Sequence, residues 1–357
     1  MRFALRFDFR NPASAGTATA DQYAAALDMA AWADDLGCAN ITLSEHHGSD
    51  DGYLPSPVPM LAAMAARTER VPFAIAALVA PFYDPLRLAE DLIVADNISR
   101  GRIDLIVAGG YVPGEFEMFG VPMQERPARV TEAVAVLKGA FSGAPFEYRG
   151  RTVQVTPGPF RPGGPRISLG GSSDSAARRA ARIADGFFPT DPRVWESYRD
   201  ELRALGRPDP GPCPLPSSGP LLVALAEDTE EGWRQMAPSF LHQANAYGAW
   251  LTAADVTAPY RAVPDADALR ATGQFQVLTP DQLIAQLKAA PVPFVNLHPL
   301  VGGMPIDLAW SSLRLLEREV LPAFSGRDWL PERQRNPGRH PGPPRELRSS
   351  PSPGTLR

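Results

Sequence analysis

Histidine, the side chain best suited to exchange a proton near neutral pH, occurs five times in this chain, at His46, His47, His242, His298 and His340. Two are adjacent, in the run Ser44-Glu45-His46-His47-Gly48, beside a carboxylate. Neighbouring side chains on extended chain point to opposite sides, so only one of the pair is expected to face a common pocket. His46 is the candidate proton carrier. His47, and His298 at the end of a later apolar run, are candidates for contact with substrate. The same spacing describes a pair that caps a strand and bonds loop carbonyls, and spacing alone leaves both readings open. Metal binding is the poorer use, because adjacent histidines have the wrong phase to chelate one ion.

A second kind of signal is glycine. In Leu169-Gly170-Gly171-Ser172-Ser173-Asp174 a strand pattern turns into a helical one. The glycines let backbone approach a ligand while free N–H groups at the helix start face it, which suits a phosphate. An ordinary turn with an N-cap reads the same way. Gly109 and Gly110, followed by Tyr111, make another small-residue opening, fitted to a planar ring. Arg178, Arg179 and Arg182 could reach an anion, but water is the favoured environment for them. Tyr247, Trp250, Tyr260 and Phe275 read either as a lid over an apolar substrate or as a satellite core under a long loop.

The elements that must position these residues alternate regularly, short apolar runs with longer helical patterns, which is the order of βαβ units. Strands are expected at 2–9, 39–44, 73–79, 102–108, 166–169, 186–189, 221–226 and 294–298. Helices are expected at 21–36, 57–68, 85–99, 127–141, 175–184, 193–205, 229–244, 280–290 and 307–321. Asp21 reads as an N-cap, Gly37 as a left-handed stop, and proline opens several first turns. A hairpin turning at Arg149-Gly150 is an insertion. Eight parallel strands, each followed by a helix, are most economically closed into a (β/α)8 barrel, which leaves no edge. In that architecture functional residues lie at the carboxyl ends of strands, where His46, His47, Gly109, Gly110, Gly170, Gly171 and His298 all fall.

One barrel domain is expected over 1–330, with a Pro-rich linker at 207–220 and a disordered Pro/Arg-rich tail at 331–357. The net charge of -5 is asymmetric: the tail carries six Arg and two Glu, which leaves -9 before it. An acidic body is a poor polyanion binder, so nucleic acid is not an expected partner. No apolar stretch approaches the 18–20 or so residues of a membrane helix, and no leader pattern opens the chain. Two cysteines, Cys38 and Cys213, form no disulfide framework, and a reducing, cytoplasmic compartment is the default expectation. No GxGxxG follows the first strand, so a Rossmann-type nicotinamide site is not expected.

Several runs, in order, resemble the bacterial-luciferase-like family, which includes luciferase, alkanesulfonate monooxygenase and the coenzyme F420-dependent reductases. They are Ser44 to His47, Ala76 to Pro81, Asp84 to Asp91, Ser99 to Arg102, Gly109 to Tyr111, Glu115-Phe116 with Phe119-Gly120, Gly170 to Ser173, and Ala184 to Gly186. The resemblance implies a TIM barrel. It also implies a non-proline cis peptide at Ala76-Ala77 under an isoalloxazine ring, His46 handling protons near the flavin, a phosphate site at Gly170-Gly171-Ser172-Ser173, and a homodimer. One position departs from the pattern: members often carry an arginine for the FMN phosphate where this chain has Gly109. The phosphate would then rest on backbone amides, Ser172, Ser173 and Arg126. The implied activity is a monooxygenase that takes reduced FMN from a separate flavin reductase and oxidises a small organic substrate with O2. Hydride transfer with F420 and a non-catalytic flavin-binding role are the alternatives.

Overall fold

The computed structural model describes residues 2–215, 222–254, 261–290, 292 and 294–324. In chain order the strands are β1 (Phe3–Phe7), β2 (Ile41–Leu43), β3 (Phe73–Val79), β4 (Ile103–Ala108), β5 (Phe146–Tyr148), β6 (Arg151–Val153), β7 (Arg166–Gly171), β8 (Gly186–Pro189), β9 (Leu222–Leu225), β10 (Phe275–Leu278) and β11 (Val295–Leu297). Seven of them build one curled parallel sheet in the order β11-β1-β2-β3-β4-β7-β8, and β9 pairs with β10 alone. This is the (β/α)8 barrel class, with a correction to the closed ring expected from sequence. Among the described residues the ladder is not continuous, because β9 pairs with β10 rather than with a sheet neighbour.

Burial along the central strands follows a period of two, as side-chain alternation requires. Phe73 and Ile75 of β3, Leu105 and Val107 of β4, and Ile167 and Leu169 of β7 are buried in the apolar core. The alternate residues Ala74, Ala76, Ile106, Ala108, Ser168 and Gly170 are only half-buried. One face of the sheet is therefore packed, and the other, made of small residues apart from Ile106, is less covered. The same alternation in the first strand puts Arg6 and Asp8 in phase with each other.

Two polar devices fix the ends of the early βα units. Asp34 accepts from the backbone N–H groups of Glu69 (3.0 Å) and Arg70 (2.8 Å). Arg102 donates to Thr68 Oγ1 and to the carbonyls of Ala65, Thr68 and Val71 at 2.8–3.0 Å, which closes the carboxyl end of the helix Pro57–Ala66. Arg100 (φ 55°) and Gly101 (φ 78°) make the turn that delivers it. The Ser99-Arg100-Gly101-Arg102 run is thus explained by architecture.

The first helix covers Thr19–Asp35, with Asp21 inside its first turn rather than at the cap, and Gly37 is left-handed as expected (φ 74°). The hairpin β5–β6 turns at Arg149-Gly150. Two segments differ more. The helix expected at 229–244 runs as Thr229–Ala253, through Pro238. Its extension is held by Asn245, which bonds Val263 N (2.8 Å) and Val263 O (3.1 Å), and by Gly248, where an added Cβ would lie 2.3 Å from Ala262 N. The irregular stretch expected to run to Gln276 ends in β10, whose Phe275 packs on Phe240 at 5.1 Å; Phe275 belongs to the main apolar core rather than to a lid or a satellite core. Tyr260, His340, strand residue Leu221, the end of the linker and the 331–357 tail lie outside the described residues. Among the described residues no helix is long and apolar enough to cross a membrane.

Candidate active site

The loop after β2 carries Glu45, His46 and His47, and a buried carboxylate fixes each histidine. His46 Nδ1 lies 2.7 Å from Glu115 Oε1, which also accepts from the His47 backbone N–H at 2.9 Å. Glu115 sits in the helix Pro113–Phe119, is buried, and leaves Oε2 without a partner among the described residues. With Nδ1 held by a carboxylate, His46 presents Nε2 outward, 3.4 Å from the Tyr111 hydroxyl. Burial, then Tyr247 and Glu115, push the Tyr111 phenol well above its ordinary pKa, so it stays protonated.

The two histidines diverge. His46 lies among Tyr53 (4.9 Å), Tyr111 (5.5 Å), Tyr247 (6.0 Å) and Trp250 (4.3 Å between ring centroids). His47 instead packs against Phe82 and Phe119, and its Nε2 meets Glu45 Oε1 at 2.8 Å. Glu45 also accepts from Tyr83 OH and from Val79 N, both at 2.8 Å. This second pair ties the loop to the end of β3, where the Ala76–Ala77 peptide is cis, as the resemblance implied.

Beside His46 lies a buried network of which sequence reasoning singled out only His298 as a site residue. Asp8 accepts from Gln243 Nε2 (2.8 Å) and Arg10 N (3.2 Å), and His298 Nε2 stands 3.3 Å from its Oδ1. Arg10 pairs with Asp51, which also meets His242 Nε2 at 2.7 Å. Burial opposes ionisation of Asp8, but His298, Arg10 and Arg6 outweigh it and hold the carboxyl far below its usual range. Burial likewise opposes ionisation of Asp51, yet the bond from His242 and the charge of Arg10 lower its pKa to about 2. Tyr247 and Trp250, on the extended helix, lie over this network; Tyr247 OH is 2.6 Å from Tyr53 OH. A signal was present in the sequence: Arg6, Asp8 and Arg10 repeat with period two through an apolar strand, which puts charge on one face of it.

The glycines fall on neighbouring strand ends. Gly110 (φ 74°) has room only for hydrogen, since a Cβ would come within 2.9 Å of Val79 Cγ1. The space Gly109 leaves is bordered by Arg126, whose side chain would be 3.8 Å from an added Cβ and whose Nη1 donates to Gly110 O (3.3 Å). Gly170 and Gly171 end β7, which pairs with β4. Ser172 and Ser173 are exposed, and Ser173 caps the helix Asp174–Ile183 by accepting from Ala176 N. Arg178, Arg179, Arg182, Thr131 and Ser175 line an open groove of about 410 Å³ beside that helix, with Arg182 bonded to Glu201.

The parallel sheet with a polar, small-residue mouth defines an α/β-barrel protein with its chemistry at the strand ends. Residues 1–292 match the luciferase-like monooxygenase family, and the chain belongs to it. Relatives whose names state a cofactor include both F420-dependent and FMNH(2)-dependent proteins. The chain is 27% identical to the F420-dependent glucose-6-phosphate dehydrogenase of Nocardia farcinica over 83% of this chain and 92% of that one. It is 25% identical to the FMNH(2)-dependent dimethylsulfone monooxygenase of Pseudomonas putida over 83% of each. With the protein y4vJ of Sinorhizobium fredii it shares 29% identity, the match spanning about half of either chain (50% and 51%). Among solved structures, the monooxygenase RslO1 from Streptomyces bottropensis superposes with a TM-score of 0.71 at 26% identity, covering 91% of this chain and all of that one.

Proposed function

We propose that this chain is a flavin-dependent monooxygenase that takes reduced FMN from a separate reductase and oxidises a small organic substrate with O2. The observation that carries the reading is the His46–Glu115 pair, whose Nε2 face opens on Tyr111 beside the strip of small residues on β3, β4 and β7. That strip fits a flat ring system. Ala76, Ala77, Ala108, Gly109 and Gly110 are half-buried at the strand ends, and the Gly110 backbone approaches Val79 too closely for any side chain.

In this reading Ala76 and Ala77 support the ring and Gly109 and Gly110 let it lie against the mouth. Gly170, Gly171, Ser172 and Ser173, with Arg126, hold the phosphate. Reduced FMN, when bound, supplies the electrons for the reaction with O2. His46 moves a proton at Nε2, and Glu115 holds its Nδ1 and stabilises the imidazolium that results. Tyr247 and Trp250 cover the site and keep water from it. His47 is turned from this centre by Glu45. His298 acts through Asp8 at its edge.

The relatives give a second reading a footing, because F420-dependent and FMNH(2)-dependent proteins match at nearly equal identity. Arg126 beside Gly109 offers a cation to the phosphate of either cofactor and so does not separate the two readings. The deciding experiment is rapid-mixing reoxidation of reduced FMN by air, with and without the protein. A slow phase with its own absorbance, present only with protein, is expected. Reoxidation identical to that of free FMN, together with saturable binding of F420, transfers the proposal to deazaflavin hydride transfer.

A further inference from the structure

The Arg10 guanidinium is fully buried, yet only Nη1 has a side-chain acceptor, Asp51. Nε and Nη2, with three N–H groups between them, meet no acceptor among the described residues. Buried donors left unmatched are costly, so a group of this kind is suited to an acceptor that arrives with a ligand. The faces of the guanidinium are lined by Trp250, Tyr53 and Tyr247, with Cζ 4.3, 4.8 and 4.9 Å from the ring centroids. These rings also surround His46. Arg10 and His46 each lie 4.3 Å from the Trp250 ring, so they are separated by no more than twice that distance. An oxygen bonded to Arg10 brings the atoms next to it within reach of the proposed proton carrier. Trp250 is only half-buried, and the cage meets the surface there.

Charge decides which kind of oxygen fits. Arg6 and Arg10 face Asp8 and Asp51, which His298 and His242 also contact, and Glu115 is held by His46, so each cation of the cage already has a carboxylate partner. An incoming anion would have to compete with Asp51 for the Arg10 charge and would lose its hydration. A neutral acceptor gives up far less on leaving water. We propose that Arg10 anchors a carbonyl oxygen of an uncharged, flat, conjugated substrate, of the aryl ketone, enone or quinone class, whose plane packs against Tyr53 and Trp250. This rests on the barrel mouth being the substrate site; the test below reads binding rather than turnover, so it can fail while the flavin chemistry stands, and the converse.

The probes are acetophenone and α-methylstyrene, which differ only by C=O against C=CH2, with benzoate as the anionic counterpart. Each is titrated by calorimetry into the wild type and Arg10→Lys, with and without FMN. Lysine keeps a cation opposite Asp51 and removes Nε and Nη2. The ratio of the styrene to the ketone dissociation constant, taken in the wild type and divided by the same ratio in the variant, cancels the difference in probe hydrophobicity. It is expected to be at least about 10-fold, the low end for a hydrogen bond to a charged group. A quotient near one, benzoate binding more tightly than acetophenone, or no saturable binding of acetophenone overturns the proposal. Should Arg10→Lys fail to fold, the carbonyl stretch of 13C-labelled acetophenone bound to the wild type decides. A band lowered from its position in alkane is expected, and an unshifted band overturns the proposal.

Discussion

Asp51→Asn tests the network that holds the barrel mouth. Asp51 accepts from Arg10, His242 and Ser49, joining the loops after the first two strands to the long helix. The substitution keeps the shape and one acceptor oxygen but removes the charge facing a fully buried Arg10. Breaking a buried ion pair from one side costs about 3–5 kcal/mol, and the retained oxygen places this case near 3. An independent route starts from the pKa, lowered from 3.8 to about 2 in the folded protein. At about 1.4 kcal/mol per unit this is about 2.5 kcal/mol of stability at pH 7. Because the folded pKa is the depressed one, that contribution is complete well above pH 3.8 and disappears as pH falls through 2. Roughly half of it is gone by pH 3. Urea unfolding of wild type and variant at pH 7 and pH 3 is the assay. The expected gap is about 3 kcal/mol at pH 7, narrowing by about 1 kcal/mol at pH 3. A gap under about 1 kcal/mol at pH 7, or one that widens toward acid, refutes the reasoning.

Other predictions concern the proposed chemistry. His46→Ala is expected to cut turnover by on the order of 100-fold while leaving flavin affinity within about 3-fold; a flavin titration beside steady-state rates checks both halves, and unchanged turnover removes His46 from the mechanism. Glu115→Gln is expected to lower turnover about 10- to 100-fold and to add little in the His46→Ala background, because the pair acts as a unit. Multiplying losses in the double variant would show two separate roles. Arg126→Ala is expected to weaken FMN about 10-fold and riboflavin hardly at all; equal losses for both would place Arg126 away from the phosphate.

Short apolar runs alternating with longer helical patterns made most strands legible before any coordinates, and turn chemistry at Gly37 and at Arg149-Gly150 fixed where the chain reverses. The scarcity of histidine pointed to His46 and His47, and strand alternation implied that only one of them faces the mouth. Two misreadings share one cause. A helical stretch running through Tyr247-Gly248 and a short apolar run after a loop both look irregular in isolation, yet Thr229–Ala253 and Phe275–Leu278 are completed by partners elsewhere in the chain. Gly248 is there because the backbone at Ala262 touches it, a contact no local pattern encodes.

The sequence by itself determined which residues alternate, which turn and which could carry a proton, because these follow from side-chain geometry over a few neighbouring positions. Only the tertiary structure decided which carboxylate each histidine would have, Glu115 for His46 and Glu45 for His47. It alone brought Arg10, Asp51 and His242 together across 41 and 191 residues of chain. Burial is what gives those pairings their energy, and burial is a property of the whole packed barrel rather than of any segment in it.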